Sequence, residues 1–378
     1  MIPTTPATNP TGPAEVEHGA VPSDQGDPRG YLEVGAVELE AGGLLPAVTV
    51  AYETWGRLNE AGDNAVMVEH ALTGDSHVVG DAGPFSPTPG WWPGLIGPGA
   101  PLDTERYFVV ASNVLGGCRG ATGPGSVAPD GRAWGSRFPT VTTRDQVEVE
   151  RRLADHLGIS SFAAVIGGSM GGMRALEWAV THPERVRRAV VLASTPAATG
   201  DQIAWCYPQL LAITSDPDWR GGDYYGGPGP VAGLEIARRI AHTTYRSGRE
   251  LDVRFGRAAQ TDRDPVTEDG QFAVESYLDH QAGKLSGRFD AGSYVHLPRS
   301  MHSHDVGLVG DGADLAQPPQ LAGQRREVEV ARAVVEAVAE GLLDQHEVER
   351  CPRERRDGRV RQRPGVGGVQ QARPVSGR

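Results

Sequence analysis

Gly167-x-Ser169-x-Gly171 is the part of this chain whose residue types and spacing can do covalent chemistry. An uncharged run of apolar and small residues, 161–166, precedes it, and a segment of helical composition opens near Met170. The run reads as a strand buried on both faces, so the serine falls at a sharp strand-to-helix turn, the setting of a nucleophile elbow. Glycines flank the serine because the backbone there is strained and a Cβ at either neighbour would clash. The serine then stands at a helix N-terminus, whose free N–H groups favour negative charge building up on a bound acyl group. In a chain with 51 Gly the bare pattern carries little weight. The strand before it and the helix after it carry the reading.

An elbow needs a sheet to hold it. Residues 188–193 read as a second buried strand after the helix, and strand–helix–strand implies parallel pairing. Upstream, residues 47–52 alternate, 65–68 are short and apolar, and 107–111 form another buried run. Residues 145–157 carry a helix pattern that leads into the elbow strand, and the loop 90–101 holds Trp91, Trp92 and many Gly and Pro. After Pro196 the character changes: helical segments at 233–244 and 275–283 flank a Gly-rich loop at 220–227. A mainly helical insertion after a sheet suggests a cap that excludes water from a site.

Composition narrows the function classes. The 378 residues suit one large α/β domain or two smaller ones. A net charge of −12 disfavours nucleic acid and anionic membrane surfaces as partners. Cys118, Cys206 and Cys351 are widely spaced without a C-x-x-C pair, which fits a reducing compartment and argues against a disulfide framework or zinc site. Residues 1–27 lack a basic start and an apolar core, so they read as a disordered leader and not a signal peptide. With no apolar run of membrane-spanning length, a cytoplasmic location is expected.

A wider set of motifs accompanies the elbow: Tyr52-Glu53-Thr54-Trp55-Gly56, His70-Ala71-Leu72-Thr73-Gly74, Asn113-Val114-Leu115-Gly116-Gly117-Cys118, Thr122-Gly123-Pro124 and Arg144-Asp145. Further on stand Asp216-Pro217, Gly221-Gly222-Asp223-Tyr224-Tyr225, Gly233-Leu234-x-x-Ala237-Arg238, Thr244-Tyr245, Phe289-Asp290-Ala291-x-Ser293-Tyr294 and Ser303-His304-Asp305-Val306-Gly307. In order and spacing this set closely resembles the homoserine O-acetyltransferases, over residues 31–307. The resemblance implies an α/β-hydrolase fold, a mainly parallel sheet with a helical cap. Its expected division is a core at 28–199, a cap at 200–285 and a return to the core at 286–307.

The resemblance also implies a reaction. An acetyl group would pass from acetyl-CoA, a co-substrate, to the hydroxyl of L-homoserine in methionine biosynthesis, through acetyl-Ser169. No resident cofactor or metal is expected. Leu72 and Met170 would donate backbone N–H groups to the oxyanion. Arg238 matches the family arginine that pairs with the homoserine carboxylate, and Tyr245, two helical turns on, matches a tyrosine of the same pocket. His70 and His77 precede the nucleophile and read as loop-packing residues, and Cys206 as a packed or pocket-lining thiol. A homodimer is expected by the same resemblance. Transfer of a succinyl group, an esterase or thioesterase, and an inactive remnant are the alternatives on this fold.

The resemblance stops after Gly307. The family's Gly-x-x-[Ser/Thr]-Asp and Gly-His-Asp-Gly-Phe segments, which supply the triad aspartate and histidine, are not in the sequence, so both triad residues are unassigned. Downstream, His346 is the only histidine, and Asp311, Asp314 and Asp344 are acidic candidates without family support. Residues 308–378 lack every aromatic residue and hold twelve Arg. They are expected to be disordered, and a frameshift near codon 308 accounts for the abrupt loss.

Overall fold

A computed structural model of the protein describes residues 27–308. The chain opens with a hairpin of β1 (Gly30–Glu38) and β2 (Leu44–Trp55), followed by β3 (Ala65–Glu69). A short parallel pair, β4 (Ile96–Gly97) and β5 (Leu102–Asp103), lies in the loop before β6 (Phe108–Ser112). Helix α1 (Thr143–His156) leads to β7 (Phe162–Gly168), α2 (Met170–Thr181) and β8 (Ala189–Leu192). Helices α3 (Gly200–Thr214), α4 (Val231–Thr244), α5 (Gly248–Arg254), α6 (Ala273–Ser286) and α7 (Ala291–His302) follow.

The main sheet has the order β1-β2-β6-β3-β7-β8, antiparallel at β1, β2 and β6 and parallel from β6 to β8. Central β3 is buried at all five residues, as two covered faces require. Ala65 and Met67 pack on one face with Leu153, Phe162, Val165 and Trp178. Val66 and Val68 pack on the other with Val109, Ile166, Trp92 and Leu95. The loop 90–101, through the adjacent Trp91 and Trp92, therefore covers the sheet face opposite α1 and α2.

Residues 188–193 are the exception to the expected burial. β8 forms as a parallel partner of β7, but Ala189 is exposed and Val190, Val191 and Leu192 are only half-buried. It is the last strand of the sheet among the described residues, so nothing pairs on its outer side. The expected absence of the fold's C-terminal strands, the tail 308–378 and the leader 1–27 lie outside the described residues.

Local chemistry fixes the helices that frame the elbow. Thr142 and Asp145 form a reciprocal capping box at the start of α1, with bonds of 2.8 Å and 3.2 Å. Between β8 and α7 a second apolar core gathers Val114, Met170, Ile213, Leu234, Phe289, Tyr294 and Leu297. Gly233 lets α3 and α4 approach closely, since a Cβ there would lie 2.4 Å from the Ala212 carbonyl oxygen. The chain then returns to the sheet: Val306 N–H donates to the Pro196 carbonyl at 2.9 Å, and Arg144 Nη2 to the Asp305 carbonyl at 2.9 Å.

Candidate active site

The elbow has the strain its sequence implies. Ser169 sits at φ 54°, ψ −120°, a positive φ that costs a non-glycine residue and persists only where the surroundings enforce it. Those surroundings are glycines. A Cβ at Gly167 would lie 2.2 Å from backbone atoms of Gly171, one at Gly171 would lie 2.1 Å from the Glu69 carbonyl oxygen, and one at Gly172 would lie 2.6 Å from Ser194 Cβ. Ser194 Oγ donates to the Ser169 carbonyl at 2.8 Å and pins the turn from β8's side.

Met170 is the first residue of α2, so its N–H has no partner inside the helix. The loop carrying Leu72 leaves β3 at Glu69, which pairs in register with Gly167 of β7. Elbow and loop thus emerge side by side at the C-terminal ends of adjacent parallel strands, where ligands bind in such sheets. A turn at Ala71–Gly74 shapes the loop, with Gly74 N–H donating to the Ala71 carbonyl at 2.9 Å. The N–H of Leu72 has no acceptor among the described residues.

His70 and His77 are both committed elsewhere. His70 Nε2 accepts from Val114 N–H at 3.1 Å, which places the ring proton on Nδ1, 2.8 Å from the Ala71 carbonyl. Burial, with Arg174 adding to it, pushes this imidazole down to about 3. It stays neutral and holds the loop. His77 spans Glu53, at 3.2 Å from Nδ1, and the Asp81 carbonyl, at 3.1 Å from Nε2. Neither ring hydrogen-bonds to Ser169, whose hydroxyl has no hydrogen-bond partner among the described residues. The expected base and acid after Gly307, with Asp311, Asp314, Asp344 and His346, lie outside them.

Arg238 reaches the loop that follows β3. Its Nη1 lies 3.5 Å from Thr73 Oγ1, its guanidinium stands 5.8 Å from the centre of the Tyr245 ring, and its Nε is buried without a partner. The seven-residue spacing does bring arginine and tyrosine together, although Tyr245 closes α4 and remains exposed. A residue the sequence reading passed over joins them: Arg288 Nη1 donates to the Thr73 carbonyl at 2.8 Å. Burial, and then the neighbouring Arg238, lower the Arg288 guanidinium from its ordinary range. Neither arginine pairs with a carboxylate among the described residues. Two partly buried cations side by side repel, and an anion between them would relieve that cost. Arg288 stands directly before the quoted Phe289-Asp290 motif, and its adjacency was the one available signal.

Most other motif residues build the scaffold. Asp290 accepts from Tyr224 and Tyr225 hydroxyls and caps α7 through Ser293 N–H at 2.7 Å. Asp216 takes Gly233 N–H at 2.8 Å, and Arg144 bridges Glu177 at 2.9 Å and Glu40 at 2.6 Å. Cys118 is half-buried, and desolvation pushes its thiol up to about 12; desolvation also raises Cys206 on α3, and neither is a reactive thiolate.

The chain matches the alpha/beta hydrolase fold family over residues 64–328. It is 64% identical over 289 residues to the homoserine O-acetyltransferase of Thermobifida fusca, covering 75% of this chain and 76% of that one. It is 57% identical over 288 residues to the enzyme of the same name from Mycolicibacterium smegmatis, covering 76% of each. It belongs to the homoserine O-acetyltransferase family. Among solved structures, the homoserine O-acetyltransferase of Bacillus anthracis superposes with a TM-score of 0.65 at 28% identity, covering 74% of this chain and 76% of that one. Esterase E22 gives 0.67 at 28% identity, covering 75% and 80%. Homoserine O-acetyltransferases and esterases thus share this architecture, and the chain is an enzyme of it. No helix among the described residues is long and apolar enough to cross a membrane.

Proposed function

We propose that the chain transfers an acetyl group from acetyl-CoA to the hydroxyl of L-homoserine by a ping-pong route. Ser169 Oγ attacks the thioester carbonyl, the C–S bond breaks, and coenzyme A leaves as the thiol with the serine's proton. The homoserine hydroxyl then attacks acetyl-Ser169, giving O-acetyl-L-homoserine and free serine. Met170 and Leu72 N–H groups stabilise each tetrahedral oxyanion. The proton passes through a base and acid that remain unassigned.

One observation carries the choice of acceptor: Arg238 and Arg288 converge on Thr73, the residue after Leu72, and neither pairs with a carboxylate among the described residues. That is a place for the carboxylate of an amino acid. Guanidinium groups suit such a planar partner. A second reading, ester hydrolysis, draws on the likeness to esterase E22. A hydrolase has no use for the arginine pair, so acetyl flux to homoserine over water, measured by product analysis, separates the two. Dominant release of acetate with saturating homoserine would overturn the transferase reading, and O-succinyl product from succinyl-CoA would reassign the donor.

On this reading residues 200–285 form a helical cap over a core of 28–199 and 286–307, and the product feeds methionine biosynthesis in the cytoplasm. A homodimer fits the exposed apolar side chains of Trp205, Tyr207 and Leu211 on α3 and of Val231 and Ile236 on α4.

A further inference from the structure

We propose that Arg174 is a positioning residue for the oxyanion hole, tying the helix that carries Met170 to the strand end that leads into Leu72. The proposal rests on the reading of Ser169, Met170 and Leu72 given above. Arg174 lies one turn along α2 from Met170 and is fully buried. Its Nη2 donates to the His70 carbonyl at 2.9 Å, two residues before Leu72. Its Nη1 lies 2.8 Å from Glu69 Oε2, at the end of β3, and 2.5 Å from Glu150 Oε1 on α1. The other Glu150 oxygen accepts Trp178 Nε1–H at 3.0 Å, which returns the network to α2.

One planar fork therefore reaches the last residue of β3, the first residue of the loop and the middle of α1. The backbones are already in contact there, since Gly171 abuts the Glu69 carbonyl. That contact fixes the distance between α2 and β3, and the guanidinium fixes their rotation and slide. His70 extends the tie by donating to the Ala71 carbonyl and accepting Val114 N–H.

Charge balance favours the same view. Two carboxylates flank one cation in a site with no solvent access. Burial raises Glu69 well above its ordinary value, Glu150 adds to this, and Arg174 opposes it, so the guanidinium offsets charge that the two carboxylates would otherwise bury uncompensated. Buried ion pairs are seldom more stabilising than apolar side chains of the same shape. What this one supplies is geometry. Oxyanion donors act only within a few tenths of an ångström of their proper place.

The test uses the full 378-residue chain carrying Ser169→Cys, whose thiolate forms without a neighbouring base. p-Nitrophenyl acetate acylates the introduced thiol: the thiolate sulfur bonds to the acetyl carbonyl carbon, the bond from that carbon to the ester oxygen breaks, p-nitrophenolate leaves, and a tetrahedral oxyanion lies between. Iodoacetamide alkylates the same sulfur by displacing iodide, with no oxyanion. Adding Arg174→Met should slow acylation about 100-fold while alkylation keeps its rate. Peptide mass mapping separates the introduced thiol from Cys118, Cys206 and Cys351. Where Arg174→Met alone unfolds the chain, Arg174→Met with Glu150→Gln removes the stranded charge and serves as the comparison. Acylation and alkylation falling together, or both unchanged, would overturn the role of Arg174 and leave Ser169 standing. No acylation at the introduced thiol above that of denatured protein, with Arg174 intact, would overturn the Ser169 reading and the role of Arg174 with it.

Discussion

Gly171 and Glu69 meet backbone to backbone: a methyl group on Gly171 would sit 2.1 Å from the Glu69 carbonyl oxygen. Because Glu69 also pairs in register with Gly167, the strand that leads into the Leu72 loop and the elbow that presents Ser169 are held as one unit. The glycine at 171 is thus a contact requirement, not a flexible hinge.

Gly171→Ala should therefore destabilise the protein by about 2 kcal/mol or more, since neither backbone can withdraw without moving the sheet. Chemical denaturation measures it. A stability change within about 0.5 kcal/mol of the parent chain, the size of an ordinary surface substitution, would show that the elbow can relax.

The elbow and its sheet were legible in the sequence because their signals are local: an uncharged run, a glycine pattern, a helix after it. β1 escaped notice because register shifts around Gly35 break its alternation. Helices α3 and α7 carry Pro208 and Pro298 inside them, residues that ordinarily end a helix. Residues 188–193 read as buried because apolar composition cannot tell a central strand from an edge. Arg174 carries no signal in the sequence, since its partners Glu69 and Glu150 come from two other elements and no spacing announces them. The same holds for Arg288, which meets Arg238 only through the fold.

Arg238→Ala should weaken L-homoserine binding by about 2–4 kcal/mol, because it leaves the substrate carboxylate without its charge-assisted partner. Titration calorimetry with L-homoserine and with its carboxamide measures this. The parent chain should prefer the carboxylate and Arg238→Ala should lose that preference. A preference that survives in both Arg238→Ala and Arg288→Ala would exclude the arginine pair as the carboxylate site.

Acid should destabilise the fold through buried neutral histidines. His70 and His242 are pushed down to about 3 and His296 to about 4, mainly by burial, whereas in the unfolded chain they titrate near the ordinary 6.5. The unfolded state thus binds more protons between those values, so their stabilising share is complete above about pH 6.5 and lost as pH falls toward about 3. Each such histidine contributes up to about 1.4 kcal/mol per pH unit inside that window. His70→Gln should flatten the stability–pH curve there by one proton's worth. An unchanged slope would mean that His70 titrates alike in both states.

The tail bears on turnover. Without an identified base or acid after Gly307, the 378-residue chain should turn over homoserine and acetyl-CoA several orders of magnitude below an ordinary enzyme rate. Steady-state kinetics decides it. A rate of about 1 per second or faster would show that the tail supplies the base, with His346 the first residue to substitute.

The most direct test of the account is to locate the acetyl group. Acetyl-CoA without homoserine is given to two proteins: the 378-residue chain, and a chain whose residues after Gly307 are replaced by a family C-terminus containing Gly-His-Asp-Gly-Phe. Peptide mass mapping then finds the adduct. The account predicts one acetyl group on the Ser169 peptide of the second protein, removed by added homoserine and absent after Ser169→Ala, with little or none on the first. A stable adduct on another residue, or undiminished turnover after Ser169→Ala, would contradict it.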